Sequence, residues 1–193
     1  MVRTVFAIAF FGIAGFVDWR RHPDNPIRLR EYGFLLYGAV IAAIYGVLHD
    51  QVSSAVSREY FILFKGIQNS PEFRFDVSIL AVKASWWVGV VGAAALLVAN
   101  NASPVHPQLG YSVLRRFALS IIMCAAIGSF LGWATIPGVV NPRIFPGPTL
   151  LEKAATVRFL SAWGMNLGSY VGGLVGIVLA VVRTKHQRAN LVG

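Results

Sequence analysis

Long apolar stretches constrain this chain more than any other feature of its sequence. Five of them stand out, at about residues 5–17, 32–48, 77–99, 117–136 and 159–182. A hydrocarbon core ~30 Å thick is crossed by ~20 helical residues, a length that the last three stretches supply and the second approaches. The sequence therefore predicts an all-α protein, a polytopic bundle of four or five transmembrane helices that forms one membrane domain over residues 1–193.

The first apolar stretch is the shortest and has two interpretations. It follows Arg3 and so looks like the start of a secretory signal, but no small-residue cleavage site comes after it. We interpret residues 5–17 as a short first span or a signal anchor.

The composition excludes an intrinsically disordered chain, a coiled coil and a small disulfide scaffold. Hydrophobic residues make up 56% of the chain and charged residues 13%, against about 25% charged in an average domain. The net charge of +9 would suggest nucleic acid as the partner of a soluble protein, but in a membrane protein it sets topology, so we expect no nucleic-acid partner. The single cysteine, Cys124, lies in an apolar run and is interpreted as inert packing.

Basic residues beside the apolar stretches predict the orientation. One side of the membrane is expected to hold Arg20, Arg21, Arg28, Arg30, Arg115, Arg116, Arg183, Lys185 and Arg188. Cytoplasmic loops carry the excess of lysine and arginine. We therefore expect a multi-pass protein with its C-terminus in the cytoplasm.

The segments expected outside the membrane differ in character. In residues 52–67, apolar side chains recur at steps of three and four from Val52 to Ile67, which is typical of an interfacial helix. Tyr60–Phe64 alone is also compatible with a short strand. The later segment, residues 137–148, is rich in proline, and we expect it to form an extended cap.

Small residues recur at steps of four along the later stretches. The ridges comprise Gly164, Gly168, Gly172 and Gly176, then Ser85, Gly89 and Ala93, and finally Gly128 and Gly132. On a helix, such GxxxG-type spacing forms a flat face that another helix can approach closely. The spacing predicts tight helix packing but leaves open whether the partner helix belongs to this chain or to another.

The sequence His49-Asp50-Gln51 ends the second stretch. One interpretation is a proton-handling or metal-binding group, since imidazole and carboxylate are suitable ligands, with His49, Asp50 and Glu59 as weak metal candidates. The other is a polar stop signal beside the negative end of a helix dipole, and spacing alone favours it.

Further polar groups lie at the start of the third stretch. Asp76 precedes it directly and is interpreted as a helix N-cap. Counted from Val77, Lys83 lies ~9 Å inside the span, where a lysine is costly unless it reaches water or finds a partner.

The predicted topology brings polar residues of several helices to one depth. The candidate cluster comprises His49, Asp50, Gln51, Glu59, Tyr60, Asp76, Lys83 and Asn166. We expect the Lys83 nitrogen within hydrogen-bonding reach of Asp50, Glu59, Asp76 or a water joined to them, and His49 turned towards the bundle. Such a cluster is either a functional site or a structural hydrogen-bond network.

The stretches Tyr45–Gln51 and Glu59-Tyr60-Phe61 resemble a group of small, uncharacterised bacterial integral membrane proteins that share an HDQ…EYF motif. Ser85–Gly89 and Ser169-Tyr170 are similar to that group too. The resemblance implies a bacterial inner-membrane protein and a role for His49, Asp50, Gln51, Glu59 and Tyr60, but it implies no activity.

No catalytic motif accompanies these residues, which favours a non-enzymatic protein without a cofactor. The leading hypothesis is an accessory or assembly component of a membrane complex, in contact with lipids and with other membrane subunits or further copies of itself. The alternative is a membrane enzyme, or a metal- or proton-handling protein, that uses the polar cluster.

Overall fold

The structure, a computed structural model, describes residues 13, 16–22, 27–144 and 151–191. In that part of the chain, four helices are long and apolar enough to cross a membrane, with mean hydropathies of 1.6 to 1.9 over their most apolar windows. They are α1 (Ile27–Val56), α2 (Phe73–Ala99), α3 (Tyr111–Val139) and α4 (Lys153–Ala189). The described residues contain no strand, and the prediction of an all-α helical bundle is confirmed.

The helices are longer than the apolar stretches that predicted them. For example, α1 continues through His49-Asp50-Gln51 to Val56, so this tripeptide does not end the helix. Apolar stretches mark only the part of a helix that lies in the hydrocarbon core. A helix also continues through the headgroup regions, and the thickness of the bilayer with these regions included is ~40–45 Å. The predicted span at residues 5–17 lies almost wholly outside the described residues.

Helices α1 and α2 pack closely along a seam of small residues. A Cβ atom added at Gly38 would lie 2.6 Å from the carbonyl oxygen of Gly89, and one added at Gly46 would lie 2.8 Å from the Cβ of Ser85. These separations are below ordinary van der Waals contact. The seam therefore depends on residues without side chains at the crossing.

Helices α3 and α4 form a second, longer seam. Cβ atoms added at Gly128 or Gly168 would overlap the carbonyl oxygen of the other glycine, and the same holds for Gly132 and Gly164. The glycine face of α4 therefore packs against α3 of the same chain.

Hydrophobic clusters join the α1–α2 pair to the α3–α4 pair at both ends of the bundle. At the end called here the Tyr60 end, the buried members are Tyr60, Phe61, Phe73, Val77, Phe159, Leu160 and Ala162. At the opposite Arg188 end they are Phe34, Ala93, Leu96, Leu114, Ala118, Ile121 and Ala180. The pairs are thus fastened together at both ends, with less complete packing between them in the middle.

Residues 57–72 connect α1 to α2 and differ from the predicted interfacial helix. Val52 and Val56 belong to α1, the helix is interrupted at Ser57, and Tyr60–Phe64 form one π-helical turn. The side chains of Tyr60 and Phe61 are buried against α2 and α4, because aromatic groups at this point close the end of the bundle. Within the predicted apolar stripe, Tyr60 is buried inside the protein, whereas Val52 and Leu63 are exposed. The segment is therefore not one continuous helix, and its position in the membrane interface stays a prediction.

The proline-rich segment is also more helical than predicted. Pro137 lies inside the last turn of α3, although proline has no N–H to donate to the preceding turn, and Pro142–Ile144 form a 3-10 turn. The expectation of an extended segment from residue 137 onward is therefore wrong for its first part. Residues 145–150 lie outside the described residues.

Arg188 fastens the opposite end of the bundle. Its guanidinium donates to the carbonyl oxygens of Ala99 at 2.7 Å, His106 at 2.8 Å and Pro107 at 3.0 Å. These bonds supply hydrogen-bond donors to backbone carbonyl groups at the end of α2 and in the connection that follows it. Positive charge near residue 188 therefore stabilises the fold as well as contributing to the predicted orientation.

Candidate functional site

A cleft of about 320 Å³ lies between the α1–α2 pair and the α3–α4 pair. Most of its wall is apolar or small, with Ile41 and Ala42 on α1, Val88 on α2, Ile121 on α3 and Ile177 on α4. The volume falls in the range of small-molecule sites, which are typically apolar with a few polar groups. The cleft exists because the glycine seams draw each pair together while the end clusters hold the pairs apart.

Polar side chains line the cleft near the Tyr60 end. They are Tyr45, His49, Asp50, Lys65, Ser85, Asn166, Ser169 and Tyr170. All except Ser85 come from α1, α4 or the connection after α1, so α1 and α4 face each other across the polar end. The cleft is consequently amphipathic along its length.

His49 and Asp50 form the centre of this polar end. The Nδ1 atom of His49 lies 2.9 Å from Oδ1 of Asp50, and its Nε2 atom lies 3.0 Å from Oγ of Ser129 on α3. A neutral ring satisfies both contacts by donating from Nδ1 and accepting at Nε2. His49 therefore turns towards the bundle and links α1 to α3. This orientation is expected because exposure of a polar imidazole to lipid costs free energy.

The order Ser129–His49–Asp50 has the connectivity of a serine-hydrolase triad. Ser129, however, is only 5% exposed and is not among the residues that line the cleft. A nucleophile must reach its substrate. The arrangement therefore positions His49 and does not present a reactive serine to the cleft.

Tyr45 and Ser169 make a second polar link across the cleft. Their hydroxyl oxygens lie 2.9 Å apart, which joins α1 to α4. The Tyr45 ring also lies beside the His49 imidazole, with 5.7 Å between their centroids. Tyr45 thus fixes one side of the His49 ring and closes part of the polar end.

Lys65 lies at the mouth of the cleft. Its Nζ atom is 5.6 Å from the centroid of the Tyr60 ring. Burial lowers the pKa of Lys65 below the usual lysine value, and the negative charge of Asp50 partly opposes this. Burial likewise raises the pKa of Tyr60, so its phenol stays neutral.

Some predicted cluster residues lie elsewhere. Gln51 donates to the backbone oxygen of Arg74 and to Ser78, both at 2.9 Å, and Glu59 accepts from Ser57 at 2.9 Å. Neither Gln51 nor Glu59 lines the cleft, although both are close to it in the sequence. These residues brace the connection between α1 and α2.

Asp76 and Lys83 do not join the polar end either. Helix α2 begins at Phe73, so Asp76 lies in its first turn and is not the N-cap. Lys83 is exposed, and it makes no direct hydrogen bond or ion pair with a carboxylate within the described part of the chain. Lys83 faces outward because the small residues Ala81 and Ser85 occupy the inner face of α2.

Asn166 lines the cleft and donates to the backbone oxygen of Ala162 at 3.0 Å. Sequence reasoning missed Tyr45, Lys65, Ser129 and Ser169. Tyr45 lies one helical turn before His49 on the same face, and this spacing was the available signal. Ser129 and Ser169 are common helix residues with no distinguishing pattern.

The described residues contain no group of three or more histidine, cysteine, aspartate or glutamate side chains placed to hold a metal. A scan of protein-family models gave no match, and searches of curated proteins and of solved structures gave none either. The resemblance to the bacterial group with the HDQ…EYF motif therefore stays a prediction.

Proposed function

We propose that this protein is a non-enzymatic integral membrane protein that binds an amphiphilic molecule from the membrane in its interhelical cleft. The apolar tail lies between the helix pairs, and the polar head meets His49, Asp50 and Lys65. The observation that carries the proposal is the distribution of polarity, since an apolar cleft with one polar end matches an amphiphile.

The dimensions of the cleft support this assignment. Along α1 it extends from Gly38 to Asp50, which corresponds to ~18 Å of helix. One leaflet of the hydrocarbon core measures about 15 Å. A chain that crosses one leaflet therefore fits the cleft lengthwise, with its head at the depth of the polar end.

The glycine seams bear on the hypothesis of an accessory or assembly component. Gly168 and Gly172 are covered by α3 of the same chain, so they are not free to receive another subunit. Association with other subunits, which we retain as part of the proposal, uses the outer faces of the bundle. We place the protein in a bacterial inner membrane with its C-terminus in the cytoplasm, in line with the distribution of arginine and lysine.

The alternative, a membrane enzyme or a metal- or proton-handling protein, would use the same His49–Asp50 pair. It is less favoured because Ser129 does not line the cleft and because only these two potential metal ligands meet there among the described residues. Binding of an amphiphile requires only an apolar cleft with a polar end and enough volume, and the cleft has both.

Gly173→Leu tests the proposal. A Cβ atom at Gly173 meets only the Ala125 side chain at 3.8 Å, so a larger residue extends into the cleft without striking backbone. We expect the purified variant to stay folded but to lose most of the lipid or other amphiphile that the wild type retains, measured by mass spectrometry of solvent extracts.

Gly33→Leu is the matched control, because a Cβ atom there meets nothing within 4 Å and Gly33 lies outside the cleft. It should retain the same amphiphiles as the wild type. Equal retention by the Gly173→Leu variant and the wild type would contradict binding in the cleft.

A further inference from the structure

A second hollow, of about 330 Å³, lies at the Tyr60 end and is separate from the cleft. It is formed where α1 ends and α2 begins, beside the first turns of α4. Its wall includes Arg58, Arg74 and Arg158 together with Glu59. Within the described wall, three guanidinium groups thus face one carboxylate, which is a strongly positive balance in a small space.

Arg58 and Arg74 are held in place by hydrogen bonds. Arg58 donates from Nε to Asn69 at 3.0 Å, and its guanidinium lies 4.2 Å from the centroid of the Phe73 ring. Arg74 donates from Nη1 to the backbone oxygen of Gln51 and to Ser54, both at 2.8 Å. Because these side chains are already ordered, a ligand would not have to order them.

Each of these guanidinium groups retains unused donors. Nη1 of Arg58, and Nε and Nη2 of Arg74, make no hydrogen bond with any described residue. Arg158 makes no hydrogen bond or ion pair within the described part of the chain, and Glu59 is engaged by Ser57. N–H donors from the end of α1, the start of α2 and the start of α4 therefore line the hollow. Some of these donors have no acceptor among the described residues.

We propose that this hollow binds a phosphate-bearing anion. Planar guanidinium groups present paired N–H donors that match phosphate oxygens, and several together compensate more than one negative charge. Its lining residues lie beyond the ends of the apolar stretches at residues 32–48, 77–99 and 159–182. In a bilayer, headgroups border the hydrocarbon core at such positions. The headgroup of an anionic phospholipid and a free phosphate share this chemistry.

Calorimetric titration of the full chain in dodecyl maltoside, in a buffer without phosphate or sulfate, tests the proposal. The probes are inorganic phosphate, dioctanoyl phosphatidylglycerol and dioctanoylglycerol, which has no phosphate. We expect binding of at least one phosphate-bearing probe and none of dioctanoylglycerol at this site. Binding of inorganic phosphate identifies a free-anion site. Binding of phosphatidylglycerol alone identifies a headgroup site if Arg158→Gln weakens it, because Arg158 lines the hollow and not the cleft.

Arg158→Gln and Arg143→Gln separate a built site from general charge attraction. Both residues are exposed and belong to the same end of the bundle, but only Arg158 lines the hollow. Loss of one charged hydrogen-bond donor should weaken binding about tenfold in Arg158→Gln and leave Arg143→Gln within about twofold of wild type.

Glu59→Gln tests the same site with the opposite sign. Removal of the carboxylate should tighten phosphate binding several-fold, since its charge opposes the anion. The proposal is overturned if no phosphate-bearing probe binds, if Arg143→Gln loses as much affinity as Arg158→Gln, or if Glu59→Gln weakens binding.

Discussion

The seams inside each helix pair and the cleft between the pairs are built from similar residues but pack in opposite ways. In the α3–α4 seam, Gly172 leaves no space for a Cβ atom, which would overlap the carbonyl oxygen of Cys124. The next residue, Gly173, faces the cleft and meets only the Ala125 side chain at 3.8 Å. One step along the helix separates backbone contact from open space.

This difference shows how a small membrane protein can be both tightly packed and hollow. Small residues permit the backbones of one pair to touch, and dispersion contacts hold that pair together in lipid. Between the pairs, the bulky side chains at the two ends act as spacers. The polar links from His49 to Ser129 and from Tyr45 to Ser169 then join the pairs across the gap.

The largest expected effect comes from the neighbouring glycines. Gly172→Leu forces α3 and α4 apart and should destabilise the protein by about 3 kcal/mol or more, seen as lost folded yield and a lower Tm in detergent. Gly173→Leu should be neutral or slightly stabilising, because leucine is the better helix former by up to ~1 kcal/mol. Equal losses for both variants would show that the seam and the cleft are not distinct.

A smaller effect is expected at the polar link between the pairs. Ser129→Ala leaves Nε2 of the largely buried His49 side chain without its partner and should cost about 1–3 kcal/mol of unfolding free energy. Ser120→Ala on the same helix removes only a bond to the backbone oxygen of Phe117 and should cost less than about 1 kcal/mol. The measurement is the denaturant midpoint of unfolding for both variants in the same detergent. A lower midpoint for Ser120→Ala than for Ser129→Ala would contradict a structural role for His49.

The smallest expected effect is a pH dependence at the mouth of the cleft. Because burial lowers the pKa of Lys65, the folded protein releases this proton at a lower pH than the unfolded chain does. The unfolded state then binds more protons between the lowered pKa and the usual value of about 10.4, so stability rises with pH across that window. Lys65→Met should lack this rise when Tm is followed against pH, and parallel curves would mean that Lys65 is not buried.

Much of the fold was predictable because hydrocarbon thickness imposes a readable length and polarity on each span. The bounds were less predictable, since polar segments such as His49-Asp50-Gln51 continue a helix as readily as they end it. Of the candidate site, His49, Asp50 and Asn166 do meet at the cleft. Lys83 was misplaced because the depth of a residue along a helix says nothing about the direction in which it faces.

The sequence by itself determined the class of protein and the small-residue faces of its helices. An apolar composition indicates a lipid environment, and a spacing of four residues places small side chains on one side of a helix. It also indicated that polar groups of α1 and α4 lie towards one end of the bundle. Only the tertiary structure decided that the glycine faces pair within the chain, that Tyr60 and Phe61 close one end, and that Lys65 rather than Lys83 lines the same cleft as Asp50. The physical reason is that packing depends on the contact between two helices. The periodicity of one helix shows which residues share a face, but not which other helix packs against that face.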